Sequence, residues 1–462
     1  MQAADQPLSA SPYAAWGQWQ NLPEALLDAR RHTLELQQDL SEPQLQVPQW
    51  RIINPPIWEL GHVGWFQEFW ILRHLLGRPP LRDDADRLWN SSAVAHDTRW
   101  DLPLLTRRQV LDYLQLVLDS VLAALPARLS AEQAYFCWLA LMHEDMHGEA
   151  FLYTRQTLAW PAPVLSLPPV ALALPAAPSP ADAAGDVSIP GGRFPLGAAP
   201  GAVAFDNEKW AHWVELQPFA IARSPVTYGQ MAEFADDGGY SRRELWSPEG
   251  WQWLQREHVM HPLYWRREGG AWLHRQYQQW QPLPAGTPVI HVNFYEAEAW
   301  CRWAGRRLPS EAEWELAASL GPAAWNSIRS LPAQGSGAAS AAAAQKSPFP
   351  WGSEPPSPAH AVLDAVRLGP QPLAACSLDR GGFGLRHLIG NVWEWTASPF
   401  APFPGFLADP YRDYSQPWFT PDYRVLRGGC WATRARLLRN TWRNFYTRDR
   451  RDVLAGFRTC AL

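Results

Sequence analysis

The chain has 462 residues and a formal net charge of -5 spread along its length, enough for two or three domains with full cores and without the charge blocks that mark nucleic-acid or anionic-membrane binders. Its five cysteines include no CxxC pair, which excludes a disulfide framework or a cysteine zinc site and fits a reducing cytoplasm. Residues 1–16 lack the basic start and apolar run of a signal peptide, and the longest apolar-looking stretch, 161–180, is broken by prolines, so the chain reads as soluble with no membrane span.

Residues 24–40 form the first amphipathic helix candidate. The second runs from 58 to 76 and stops before Gly77-Arg78-Pro79-Pro80. A polar, aperiodic stretch follows at 82–103, long for a bundle connection and of the kind that carries function. Residues 106–125 and 130–158 supply the third and fourth helices, with Ser130 and Glu132 suiting a helix start. These elements predict a four-helix bundle over 1–160, an Ala/Pro linker over 161–185 and a second domain over 186–462.

The fourth helix carries the chemistry. LALMHEDMHGEAF (139–151) places His143 and His147 one turn apart on a stripe with Phe136, Leu139 and Ala150, so two imidazoles face a core together and can share a metal. A lone inward histidine reads as a hydrogen-bonded core residue; for the pair, that reading, one histidine in the core and the other at the surface, stands beside the metal site. His62 is the third ligand candidate, because Trp58, His62, Trp65, Phe69 and Leu72 make the inward stripe of the second helix. Three histidines leave coordination positions open, which is the arrangement of a catalytic rather than a structural metal site.

Beyond residue 186 the strands are short, the turns dense and the tryptophans frequent. IPGGRFPLG (189–197) reads as a hairpin, 226–234, 294–304 and 310–318 as short helices, the last with Ser310 and Glu313 as a capping box. The Ala/Ser/Gly run 333–344 reads as a mobile surface insertion, and YRVLRGGCW (423–431) and VLAGFRTC (453–460) as closing strands of a mixed α+β domain.

The words of this second domain, Ile189-Pro-Gly-Gly, AWCRWAGRRLPSEAEWELAA (299–318), GNVWEWT (390–396) and RVLRGGCW (424–431), resemble the formylglycine-generating-enzyme or sulfatase-modifying-factor fold, a C-type-lectin-like domain. NPPIWELGHVGWF and HEDMHGE resemble a DinB-like four-helix bundle. In this order, over nearly the whole chain, they resemble the EgtB family of non-heme iron enzymes of ergothioneine biosynthesis. Cys430 has no second cysteine nearby, so the formylglycine-generating activity is not expected.

The resemblance implies Fe(II) held by His62, His143 and His147, O2 as co-substrate, and hercynine as the acceptor whose imidazole C2 receives a soft donor atom. It implies a proton- or hydrogen-donating role for Tyr411, the first tyrosine of YRDY, and places Tyr414, Asn444 and Phe445 around hercynine. Two features depart from the sulfur-using members. Their arginine pair, which grips gamma-glutamylcysteine, is reduced here to Arg99, and Tyr446 stands where one branch has an aspartate. Met146 also replaces a glutamine that precedes the last histidine.

A changed donor site beside a retained metal set points to the selenoneine synthase branch, which takes a selenosugar. Asn90, Ser91, Ser92, His96, Asp97 and Trp100 suit the neutral hydrogen bonding and stacking that a sugar needs. Three other readings stand beside this one: a sulfoxide synthase with a thiol donor, a zinc-dependent thiol transferase on the DinB bundle, and a ligand-binding module on the lectin-like fold.

Overall fold

The computed structural model describes residues 21–166, 184–331 and 337–462. The described residues fall into two compact units. The first holds residues up to Thr154 with Pro163–Ser166 and Gly201–Val203; the second holds Arg155–Ala162, 184–200 and Ala204–Leu462. Most of the expected Ala/Pro linker, 167–183, lies outside the described residues.

The first unit is helical. Four elements make its frame: α1 (Leu22–Glu35), α3 (Pro56–Gln67) running on as a π-helical segment Glu68–Leu75, α5 (Arg107–Ala124), and α6, most of whose span Ala131–Thr157 belongs here; a short α2 (Glu42–Gln46) precedes α3. Pro56 opens α3, where its missing N–H removes no helical bond. Thr106 caps α5 by accepting from the Gln109 N–H. Every residue of α3 is buried.

One buried arginine ties all four frame helices together. Arg30 on α1 donates to Glu144 Oε1 on α6 at 2.8 Å, to Gln67 Oε1 on α3 at 3.1 Å and to the Leu114 carbonyl on α5 at 2.6 Å. The stretch expected as a loop, 82–103, contains α4 (Ala85–Trp89) and a turn of 3-10 helix at His96–Thr98. Asp86 fastens it by accepting from Trp65 Nε1 at 2.7 Å and from both terminal nitrogens of Arg73.

The second unit is loop-rich α+β. Its strands are β1 (Asp186–Ile189), β2 (Gly192–Leu196), β3 (His212–Leu216), β4 (Phe219–Ala222), β5 (Trp265–Glu268), β6 (Ala271–Gln276), β7 (Gln279–Pro282), β8 (Arg306–Arg307), β9 (Trp393–Pro399), β10 (Tyr423–Arg427), β11 (Asn444–Thr447), β12 (Ala455–Gly456) and β13 (Cys460–Ala461). They form sheets in the orders β1-β4-β13-β8, β11-β10-β9-β12, β2-β3 and β5-β6-β7. Helices α7 (Tyr228–Asp236), α8 (Pro248–Arg256), α9 (Phe294–Trp303), α10 (Glu311–Ser319), α11 (Pro322–Arg329) and α12 (Ala338–Ala343) pack around them.

Two expectations are corrected here. Residues 189–197 are not a hairpin: β1 pairs with β4 and β2 with β3, because the chain turns at Gly191 and Gly192 from one sheet into another. A Cβ at Gly191 would lie 2.6 Å from the Leu216 carbonyl, so that turn admits only glycine. The Ala/Ser/Gly run is not wholly surface either. Residues 338–343 form α12, with Ala342 and Ala343 buried; residues 332–336 lie outside the described part.

The recurring words of the second unit are its buried charge lattice. Glu311 and Glu315 of α10, Glu394 of GNVWEWT, Arg427 of RVLRGG, and Arg443 and Arg458 are all buried. Arg458 grips Glu394 with contacts of 2.6 and 2.7 Å, Arg427 meets Glu315 at 2.5 Å, and Arg443 meets Glu311 at 2.9 Å. Charges removed from water must be paired and hydrogen-bonded, so these pairs specify how a domain with little regular structure closes. Trp314, Trp393 and Trp395 fill the space between them, fully buried.

Candidate metal centre

His143 and His147 project from adjacent turns of α6 and His62 from the middle of α3, and helix packing brings them to one point. One ring nitrogen from each lies within 4.8 Å of the other two, and no other group of three or more such ligand residues is found among the described residues. His62 Nε2 and His143 Nε2 are 3.2 Å apart. Two nitrogens bound to one ion at about 2.0–2.1 Å stand about 2.8–3.4 Å apart for octahedral to tetrahedral angles. The spacing therefore fits a metal between them.

The hydrogen bonds behind the rings fix which nitrogens are bare. His62 Nδ1 lies 2.8 Å from the Trp89 carbonyl, which only accepts, so Nδ1 carries the proton and Nε2 keeps its lone pair. His147 Nδ1 lies 2.6 Å from Glu59 Oε1, and the same reasoning bares its Nε2. Burial lowers the pKa of His62 and of His143 well below the ordinary histidine value, and the neighbouring His147 lowers both further. Neutral imidazoles are the form that binds a metal.

Aromatic walls hold the rings in place. His143 stacks on Phe66 at 3.6 Å between centroids, and His62 lies flat against Trp58 at 4.9 Å. Arg99 also lies over Trp58, its guanidinium 3.9 Å from the ring centre. The stretch after α4 thus borders the histidine cluster. Arg99 donates to Asn54 Oδ1 at 2.5 Å, and burial lowers its pKa to about 10. Trp100 gives its single N–H to the Val47 carbonyl and His96 Nε2 faces the Ile53 carbonyl, so neither of those atoms is open to a sugar. Ser92 and Asp97 are exposed, and Met146 is half-buried one residue before His147.

The predicted tyrosines and the asparagine-aromatic pair lie in the second unit. Tyr411 precedes the 3-10 turn Arg412–Tyr414, and its ring is 6.4 Å from that of Tyr414. Tyr414 packs on Phe205 at 4.3 Å, takes a hydrogen bond from Trp442 Nε1 at 3.2 Å, and lies 6.4 Å from Phe445. Burial pushes both phenols far above the ordinary tyrosine pKa. Asn444, Phe445 and Tyr446 are consecutive on β11, so their side chains alternate between its faces. Phe445 stacks on Phe400 at 3.9 Å and joins the tyrosine cluster. Asn444 and Tyr446 point the other way, with Arg450 over the Tyr446 ring.

Two parts of the centre are absent from the sequence reading. Glu59 had a signal: a glutamate in the apolar run PPIWELGHVGWF must find a partner once buried. The Trp89 carbonyl had none, because a backbone acceptor carries no residue signature.

The comparisons with known proteins agree with this architecture. Residues 19–149 match the DinB superfamily, and residues 173–461 match the sulfatase-modifying factor enzyme 1-like domain. A helical DinB domain followed by a sulfatase-modifying-factor domain defines the class. The chain is 37% identical to a hercynine oxygenase of Mycobacterium tuberculosis, over 94% of this chain and 96% of that one. It is 34% identical to the hercynine oxygenase of Mycolicibacterium smegmatis over 95% and 98%. The chain belongs to the hercynine oxygenase family. The formylglycine-generating enzyme of Mycobacterium tuberculosis matches only 47% of the chain, at 31% identity.

Proposed function

We propose that the protein is a ferrous-iron oxygenase that joins a chalcogen donor to imidazole C2 of hercynine, with a selenosugar as the donor. The observation that carries this reading is the histidine set itself: three imidazoles at one point, two with their proton positions fixed by Trp89 and Glu59, in a chain similar end to end to hercynine oxygenases. When bound, ferrous iron supplies open coordination positions that bring dioxygen and a soft donor together beside the substrate.

The chain's own residues do the rest. His62, His143 and His147 hold the ion; Trp58 and Phe66 keep their rings in register and keep water from their faces. Tyr411 stays protonated at neutral pH because burial disfavours its phenolate, which suits a proton donor. The aromatic surface of Tyr414 and Phe445 suits a quaternary ammonium. Replacing the hydrogen on C2 by selenium or sulfur releases two electrons and two protons, and oxidising the new chalcogen to its oxide releases two more electrons, so one dioxygen balances the reaction as the oxide oxygen and one water.

The donor assignment rests on Arg99 being alone. A dicarboxylate such as gamma-glutamylcysteine needs paired cationic clamps, and Arg99, over the Trp58 ring that stacks on His62, is already bonded to Asn54. The second reading, a thiol donor and a sulfoxide product, is favoured by the length and identity of the match to hercynine oxygenases. The test is an anaerobic reconstitution with ferrous iron, then air, hercynine, and a selenosugar and gamma-glutamylcysteine in competition. A hercynine–selenium adduct by mass spectrometry supports the proposal; a glutamylcysteine sulfoxide adduct alone replaces it with the second reading.

A further inference from the structure

The second unit contains a cavity of about 250 Å³. It shares no residue with the Tyr411, Tyr414 and Phe445 cluster. His274 of β6 and His291, just before α9, both line it, and both are more than nine-tenths buried. Tyr228, Tyr277, Trp431 and a set of prolines make its walls.

Four of the polar groups that line this cavity have an atom lacking a hydrogen-bond partner among the described residues. His274 has no hydrogen-bond partner at either ring nitrogen among the described residues; its only close ring neighbour is Tyr228, at 5.2 Å. His291 Nδ1 lies 3.1 Å from the Asp452 carbonyl, so Nδ1 carries the proton and Nε2 is left as a bare acceptor. Tyr277 Oη and Trp431 Nε1 are buried donors, likewise without a partner among the described residues. Tyr277 Oη and Trp431 Nε1 are the buried pair, and nearly all such groups in a folded chain have a partner; the two histidines line the same cavity.

Charge and shape narrow what belongs there. No carboxylate lines the cavity, so it offers a cation no anionic partner. Arg275 is its one fixed charge, and its guanidinium is engaged with the Tyr277 carbonyl at 2.5 Å and lies over the Tyr264 ring at 4.4 Å. Burial holds both histidines at about 4, so they are neutral and accept at physiological pH. An apolar cavity of about 150 Å³ takes one benzene ring, so this volume takes a ring with substituents.

We infer that this cavity is a second small-molecule site, for an uncharged planar ring bearing a hydroxyl group. That group donates to His291 Nε2, and its own lone pair answers the Tyr277 and Trp431 donors. The site stands independently of the metal-centre reading, since none of its residues belongs to the histidine set.

Phenol is the probe, with toluene as its match in shape without the donor. Full-length protein labelled with nitrogen-15 in its histidine rings is titrated with each at neutral pH. The signals of His274 and His291 are assigned by their loss in His274→Gln and His291→Gln. The expected result is a saturable shift of both signals with phenol, and about three- to tenfold weaker binding of toluene, the effect of one hydrogen bond. No saturable shift with phenol overturns the site. Equal binding of toluene overturns the hydrogen-bonding role of His291, and shifts confined to His62, His143 and His147 assign phenol to the metal centre instead. The wild-type titrations decide the question even if a variant fails to fold.

Discussion

Glu59 Oε1 and His147 Nδ1 are 2.6 Å apart in the helical unit, the carboxylate buried and the imidazole partly exposed. Glu59 lies one turn before His62 on α3, while His147 comes from α6. A single carboxylate therefore orients the ligand that the other helix contributes. Such partners fix the tautomer and raise the basicity of a metal-bound imidazole, and their loss typically weakens metal binding about 10–100-fold.

Glu59→Gln is accordingly expected to bind ferrous iron or cobalt about 10–100-fold more weakly while unfolding at nearly the wild-type temperature without metal. Anaerobic titration and thermal denaturation measure the two effects separately. Unchanged metal affinity would remove Glu59 from the centre.

Gly61 controls the other locked ring. A Cβ there would meet the Trp89 indole at 2.1 Å, and Trp89 is the residue whose carbonyl holds His62 Nδ1. Gly61→Ala must displace that indole, with a stability loss of about 1–3 kcal/mol typical of overpacking and a weaker metal affinity. Gly64→Ala, three residues on, would meet the movable end of Leu114 at 2.7 Å and the edge of the Tyr113 ring at 3.2 Å. Its effect on metal binding is expected to be smaller, and the same titration compares the two.

Arg30 is a structural counterpart. Its pairing with Glu144 is buried on both sides, so Arg30→Ala strands a carboxylate beside His143 and is expected to destabilise the helical unit by about 3–5 kcal/mol. The double variant Arg30→Met/Glu144→Met removes both charges and should recover much of that loss. Denaturant unfolding of the two variants tests this; equal destabilisation would mean the pair does not act as a unit.

Acid should loosen the second unit through His291 and His274. Burial holds both at about 4 in the fold against an ordinary 6.5, so between those values the unfolded chain binds more protons and stability falls as pH falls. The loss is at most about 3 kcal/mol for each. Asp206 opposes this, because burial raises it to about 6; over about pH 4–6 its folded form holds the proton and acidification stabilises. His291→Gln should flatten the decline of melting temperature from pH 7 to 4.5, and Asp206→Asn should steepen it. Parallel curves for all three proteins would contradict the assignment.

Much of the helical frame was legible because its signals are periodic. The stripes through His62 and through His143 and His147 put imidazoles on inward faces, and the structure brings those faces together. The loop-rich unit was legible mainly as words. Its glutamates and arginines turned out to be buried ion pairs such as Arg458–Glu394, which no period of two or 3.6 encodes. The mistaken hairpin at 189–197 has the same origin: alternation gives strands, but the partner of β2 is β3, reached through the 3-10 turn at Asp206–Glu208. The alternation of β11 puts Phe445 on one face and Asn444 and Tyr446 on the other.

The central claim is a hercynine-dependent ferrous centre on His62, His143 and His147. The most direct measurement is oxygen uptake by the full-length protein loaded in turn with ferrous iron and with zinc, in the presence and absence of hercynine. The account predicts uptake that requires both iron and hercynine and disappears in His143→Ala. Turnover of a thiol donor by the zinc-loaded protein, with no oxygen consumed, would contradict it and make the bundle a zinc transferase.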